Sequence, residues 1–184
     1  MPGLPRQAAP ADVRGPQAQR RDRTVPGLQP HPLLRAARSR HRTRALSDPL
    51  HIHIDGASRG NPGEAGFGVY VTTPEGAPVA ELYGYLGRAS NNVAEYQALI
   101  HALRYALGRG ATDVKVFSDS ELVVRQIGGQ YRVRHPDMVP LHGKAKGLLS
   151  RFDKASVSHV RREQNKDADR LANRALDEKA SKLE

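Results

Sequence analysis

No cysteine occurs among the 184 residues. That absence removes disulfides, thiolate metal sites and cysteine nucleophiles together. Nor does any apolar run approach the roughly 18 residues needed to span a bilayer, and the N-terminus lacks the apolar centre of a secretory signal. A soluble cytoplasmic protein with no membrane partner is expected.

The first 47 residues are poor in most of what builds a core. They contain no Phe, Tyr, Trp or lysine, and their only acids are Asp12 and Asp22. They carry ten arginines and seven of the thirteen prolines. Such a segment cannot bury enough apolar surface to offset the entropy of ordering it, so residues 1–47 are expected to be a disordered basic extension. It holds +8 of the formal net charge of +10, which leaves +2 for residues 48–184. The basic balance therefore says little about the folded part. A basic arm for phosphates, a transit peptide and a plain extension or misassigned start all remain open. The plain reading is preferred, because two serines and seven prolines suit an amphipathic targeting helix poorly.

From Leu50 the pattern changes. Leu50, Ile52 and Ile54 alternate with His51 and His53, the period of a strand. Asp55-Gly56 then opens a Gly, Asn and Pro cluster that is expected to turn. Strands are expected over 66–72 and 79–86, joined by the turn Thr73-Pro74-Glu75-Gly76. Val93, Tyr96, Leu99, Leu103 and Leu107 recur at helical spacing, with Asn91 or Asn92 as cap. A strand at 114–117 leads into Ser118-Asp119-Ser120. Helices at 122–127 and 138–152, a strand at 157–160 and a helix from Asn165 to Lys179 complete the chain. The order βββαβααβα gives an α/β fold (α+β mixed sheet): a five-stranded mixed sheet flanked by helices, in one domain over residues 48–180 with a short tail at 181–184.

Four acids fall where elements begin or end. Asp55 closes the first strand, Asp119 closes the fourth, Glu95 is expected in the first turn of the long helix and Asp169 in the first turn or so of the last. Each alone has a plain explanation as a turn former or a partner for a helix dipole. Together they can converge on one cleft, where they would repel one another unless cations neutralise them. Ligation by oxygen alone suits Mg²⁺ or Mn²⁺ rather than zinc. Two such ions about 3.5–4 Å apart can clamp the attacking and leaving oxygens of a phosphoryl displacement.

The segments Asp55-Gly56-Ala57-Ser58-Arg59-Gly60-Asn61-Pro62-Gly63, Asn91-Asn92-Val93-Ala94-Glu95, Ser118-Asp119-Ser120 and Ala168-Asp169-Arg170-Leu171-Ala172 resemble the successive motifs of type 1 ribonuclease H. Order, spacing and element placement match over roughly residues 50–180. The resemblance implies a ribonuclease-H-like fold and endonucleolytic hydrolysis of the RNA strand of an RNA/DNA hybrid, leaving 5′-phosphate and 3′-hydroxyl ends. It implies two Mg²⁺ ions, replaceable by Mn²⁺, on Asp55, Glu95, Asp119 and Asp169, with Asp55 bridging both. It also places Gly56, Asn61, Asn91 and Asn92 against the hybrid, in a protein expected to be a monomer.

Some features depart from that family. The position ten before Asp169, often a mobile histidine, is His159, expected inside the last strand and so structural. Arg162 resembles the arginine that minimal bacterial and archaeal members place near the site, and it is the preferred catalytic candidate. Only residues 129–137 separate the two middle helices, so the basic protrusion of some relatives is absent. Arg125, Arg132 and Arg134 stand where they could partly replace it, or simply form a solvated face. His51 and His53 are read as packing residues. A 3′–5′ exonuclease of the same broad fold would carry Asp-X-Glu on the first strand, but residue 57 is Ala.

Overall fold

The structure is a computed structural model, and it describes residues 49–184. The basic extension expected at 1–47 lies outside those residues. Five strands and four helices follow in the order β1 (Leu50–Gly60), β2 (Gly63–Thr72), β3 (Pro78–Ala89), α1 (Asn91–Gly108), β4 (Asp113–Ser118), α2 (Glu121–Ile127), α3 (Met138–Leu149), β5 (Lys154–His159) and α4 (Lys166–Glu178). A 3-10 turn, Arg162–Gln164, leads into α4.

The strands form one sheet in the order β3-β2-β1-β4-β5. β1 pairs antiparallel with β2 and parallel with β4, so the sheet is mixed and β1 is its centre. The alternation in β1 sends Ile52 and Ile54 fully into the core with Val69, Val71, Leu99, Ile100 and Leu103. Each such side chain contributes about 1.5–3 kcal/mol of transfer free energy. α4 covers the opposite face, where Leu171 and Ala175 pack beside Tyr83. Gly68 makes that approach possible: a Cβ there would sit 2.8 Å from the Leu171 Cβ and closer still to the α4 backbone.

Several boundaries differ from the sequence reading. The chain does not turn at Asp55-Gly56. β1 runs on to Gly60, paired with β2 from Gly56↔Phe67 to Gly60↔Gly63, and the hairpin reverses at Asn61-Pro62. Ladder pairing outweighs the turn preference of those residues. Gly56 serves close packing instead, because a Cβ on it would lie 2.8 Å from the Glu95 Cα and overlap the amide of α1. Ser90, not Asn91 or Asn92, caps α1, its hydroxyl accepting from the Val93 amide at 3.3 Å. α3 stops at Leu149, and β5 spans Lys154–His159 rather than 157–160. The chain also continues usefully past residue 180. The Lys182 backbone exchanges two hydrogen bonds with Tyr83, so the expected free tail extends the sheet at the β3 edge.

Candidate active site

The parallel neighbours β1 and β4 differ in length, and the site lies in the gap. Pairing between β1 and β4 ends at Ile54↔Ser118, while β1 continues for six more residues. Beyond Ile54 the β4 side of β1 is free of a ladder partner. Asp55 stands at the first free position of β1, Asp119 follows the end of β4, and Glu95 comes from α1, which packs on this part of β1 through Gly56. Each offers a carboxylate oxygen, and the three oxygens lie within 4.8 Å of one another.

Burial makes this arrangement costly. Asp55 is 7% exposed and Glu95 4% exposed. Burial first, then the charges of Asp119 and Asp169, push the Asp55 carboxyl up to about 7. Glu95 is raised well above the ordinary carboxylate range, chiefly by burial and then by Asp55 and Asp119. The Gly56 amide acts the other way on Glu95, yet Glu95 Oε2 is buried without any hydrogen-bond partner. Glu95 is the fifth residue of α1 and therefore lies past its first turn, where the sequence reading had placed it. A helix dipole does not account for it there.

Asp169 stands somewhat apart. It lies in the first turn of α4, outside the group of three. Its Oδ1 accepts from Arg162 at 3.0 Å, and its Oδ2 accepts from Asn173 at 3.3 Å. Arg162 is exposed, and its own charge lowers the Asp55 pKa against the other influences. His159 is the exposed last residue of β5 and not a strand-interior side chain; its Nε2 lies 3.2 Å from the Asp119 carbonyl oxygen. His51 and His53 pack on Phe117, His53 stacked at 4.9 Å and His51 edge-on at 5.5 Å.

Three of the expected substrate residues, Asn61, Asn91 and Asn92, gather where the hairpin tip meets the start of α1. Asn61, at the hairpin tip, accepts from the Asn91 amide at 3.3 Å and so joins the hairpin to the start of α1. Asn61 and Asn92 line an open cleft with Arg132, Arg134 and His135. Arg125 is engaged elsewhere, by Glu121 and by the Tyr131 hydroxyl. One residue of the site escaped the sequence reading beyond its place at a helix start. Asn165 is 1% exposed and donates to the Ile54 carbonyl at 2.8 Å and to Asp119 Oδ1 at 3.1 Å. Its one sequence signal is a polar amide one turn before Asp169.

This sheet order with this carboxylate group defines a ribonuclease-H-like domain. A family model described as reverse transcriptase-like matches residues 53–175. A bifunctional protein of Mycobacterium tuberculosis is 48% identical over 127 residues, which cover 68% of this chain and 35% of that protein. The chain thus corresponds to about a third of the length of its mycobacterial relatives. The crystal structure of RNase H1 from Halobacterium salinarum is 45% identical with a TM-score of 0.69, over 71% of this chain and 98% of that one. LC11-RNase H1, solved in complex with an RNA/DNA hybrid, is 39% identical with a TM-score of 0.68, over 71% and 98%. The chain belongs to the type 1 ribonuclease H family.

Proposed function

We propose that this protein is a metal-dependent endonuclease that hydrolyses the RNA strand of RNA/DNA hybrids. The observation that carries the proposal is the convergence of Asp55, Glu95 and Asp119, from three separate elements, with oxygens within 4.8 Å. A fold gains nothing in stability from burying that much like charge, and a cation is the simplest compensation. The donors fit a hard divalent ion: all are carboxylate oxygens, and Glu95 Oε2 is buried and unpartnered. Two Mg²⁺ ions, replaceable by Mn²⁺, would supply a nucleophile at neutral pH and neutralise charge on the phosphate, giving 5′-phosphate and 3′-hydroxyl ends.

Around that chemistry, the residues of the chain divide the work. Asp55, Glu95 and Asp119 would hold the ions, with Asp169, paired with Arg162 in the metal-free fold, as the fourth carboxylate. Arg162 is an exposed guanidinium beside the carboxylates and suited to a phosphate oxygen. Gly56, expected against the hybrid, lets α1 close on β1 and so brings Glu95 beside Asp55. Asn61, Asn91 and Asn92 provide amide groups that can read 2′-hydroxyls, which distinguish RNA from DNA. Arg132 and Arg134 extend the same face toward a backbone phosphate of the hybrid. The hybrid-bound relative supports this choice of substrate. A monomer suffices, because every group named comes from one chain.

The test is a labelled RNA/DNA hybrid incubated with the protein and Mg²⁺ or Mn²⁺. Internal cuts in the RNA strand are expected, with duplex DNA spared, and Asp119→Asn should abolish them. Terminal products alone, binding without cleavage, or full activity in Asp119→Asn would each overturn the proposal.

A further inference from the structure

A carboxylate at the end of a strand has two free torsions, and a metal site requires one setting of them. Asp119 follows the last residue of β4, so the ladder does not hold it. The amide that donates to its carboxylate is that of Asn165. Its side-chain nitrogen bridges the Ile54 carbonyl and Asp119 Oδ1, at 2.8 and 3.1 Å. The two acceptors use both amide protons, one for each strand. Ile54 is the position where the β1–β4 pairing ends, so the amide continues the junction of those strands beyond their last pair.

Asn165 is itself fixed. It is buried to 1% exposure, it precedes α4, and its carbonyl accepts from the Asp169 amide at 3.1 Å. One residue thereby joins β1 at Ile54, the end of β4 and the start of α4, the elements that carry Asp55, Asp119 and Asp169. A helix cap alone would need neither side-chain bond, and this side chain makes no cap bond to its own helix. Its Oδ1 is buried and without a regular hydrogen bond, as is His53 Nδ1 on the same strand as Asp55. A packing role would be met at less cost by an apolar residue.

We infer that Asn165 is a positioning residue that sets the Asp119 carboxylate for metal binding by tying it to the β1 backbone at Ile54. The inference rests on the proposed metal-dependent activity, but it concerns the ligand geometry. Mg²⁺ demands near-ideal octahedral geometry and should therefore be more sensitive to the loss than Mn²⁺. Partners that orient metal ligands typically contribute about 10–100-fold to metal affinity or activity.

The experiment uses the full chain and Asn165→Ala. Mg²⁺ and Mn²⁺ affinities are measured by calorimetry without nucleic acid, and hybrid affinity is measured in EDTA. The expected result is a Mg²⁺ affinity lowered about 10-fold or more, a smaller loss for Mn²⁺ and an unchanged hybrid affinity. In activity, kcat falls at fixed Mg²⁺ while KM for the hybrid holds. Asn165→Ser, which leaves a small polar side chain too short to span both acceptors, carries the same measurements if the alanine variant does not fold. Unchanged metal affinity in the folded variant overturns the inference, and so does a parallel loss of hybrid affinity. Wild-type protein that binds Mg²⁺ yet leaves the hybrid uncut would overturn the proposed activity, while the metal titration still decides the role of Asn165.

Discussion

Replacing Asp55 by asparagine should stabilise the metal-free protein while removing its activity. The buried carboxyl titrates at about 7 in the fold, against 3.8 as its ordinary value. A carboxyl with a raised pKa in the fold favours the folded state when protonated. Its contribution is fully present below pH 3.8 and is lost as pH rises through about 7. At about 1.4 kcal/mol per pKa unit the loss reaches roughly 4 kcal/mol. Glu95 shifts in the same direction, and asparagine at 55 also relieves it of one neighbouring charge. The amide must find its own partners, so a gain of about 2–4 kcal/mol at pH 8 is expected, on the order of 6–15 °C in Tm for a domain of this size.

Thermal unfolding in EDTA, followed by circular dichroism from pH 4 to pH 9, measures the effect. Carboxyls common to both proteins largely cancel in the difference. The variant should melt higher at pH 8, and the gap should close toward pH 4, where Asp55 of the wild type is already protonated. Mg²⁺ at a hundred times Kd should close most of the gap or reverse it, because ligand binding to the folded state adds about 2.7 kcal/mol, and the variant lacks one of its ligands. A gap of zero at pH 8 in EDTA, or a gap independent of pH, would refute the electrostatic reading of the site.

Three further substitutions probe how the fold holds the site. Gly56→Ala places a Cβ against the Ala94 and Glu95 backbone; a loss of about 2–3 kcal/mol in urea denaturation is expected, with activity falling further as α1 is lifted from β1. Ser90→Ala removes the α1 cap and should cost about 1 kcal/mol, with kcat and hybrid KM within twofold of wild type, since Asn91 and Asn92 remain in the helix. Ser118→Ala deletes a buried hydroxyl that accepts from the Ser120 amide at 3.0 Å and ends β4. It should cost on the order of 1 kcal/mol and lower Mg²⁺ affinity, measured by calorimetry, because the backbone carrying Asp119 loses a constraint.

Patterns set by burial were readable from the chain. Ile52 and Ile54 in β1, and Leu99, Leu103 and Leu107 in α1, announce their elements because one face must be apolar. The positions near the site were read less well, since there tertiary pairing overrides local preference. Asp55-Gly56 looks like a turn by every local criterion, yet β2 supplies ladder partners through Gly60. The capping preference of asparagine drew attention to Asn91 and Asn92 and away from Ser90, one residue earlier. The four acids were found because the sequence pattern placed each near an element boundary, although β1 runs on past Asp55 and Glu95 lies beyond the first turn of α1. One of them is separated by an ion pair with Arg162 that spacing alone cannot reveal. Asn165 was missed as a contact because its partners, Ile54 and Asp119, lie 111 and 46 residues away.

The stretch from Asp55 to Gly63 thus has a different purpose from the one its composition suggests. If it turned at Gly56, β1 and β4 would end together and Asp55 would be a solvated turn residue near the usual carboxylate range. Because it continues as strand while β4 stops, Asp55 stays on a fixed backbone with one side open. Rigidity comes from β2, and access comes from the missing stretch of β4. Glycine at 56 lets α1 close against that strand without obstructing it, which brings Glu95 to the same opening. The length mismatch between two neighbouring strands is therefore the structural origin of the carboxylate cluster. Ser118 and Asn165, which respectively end β4 and tie its end to Ile54, maintain that mismatch.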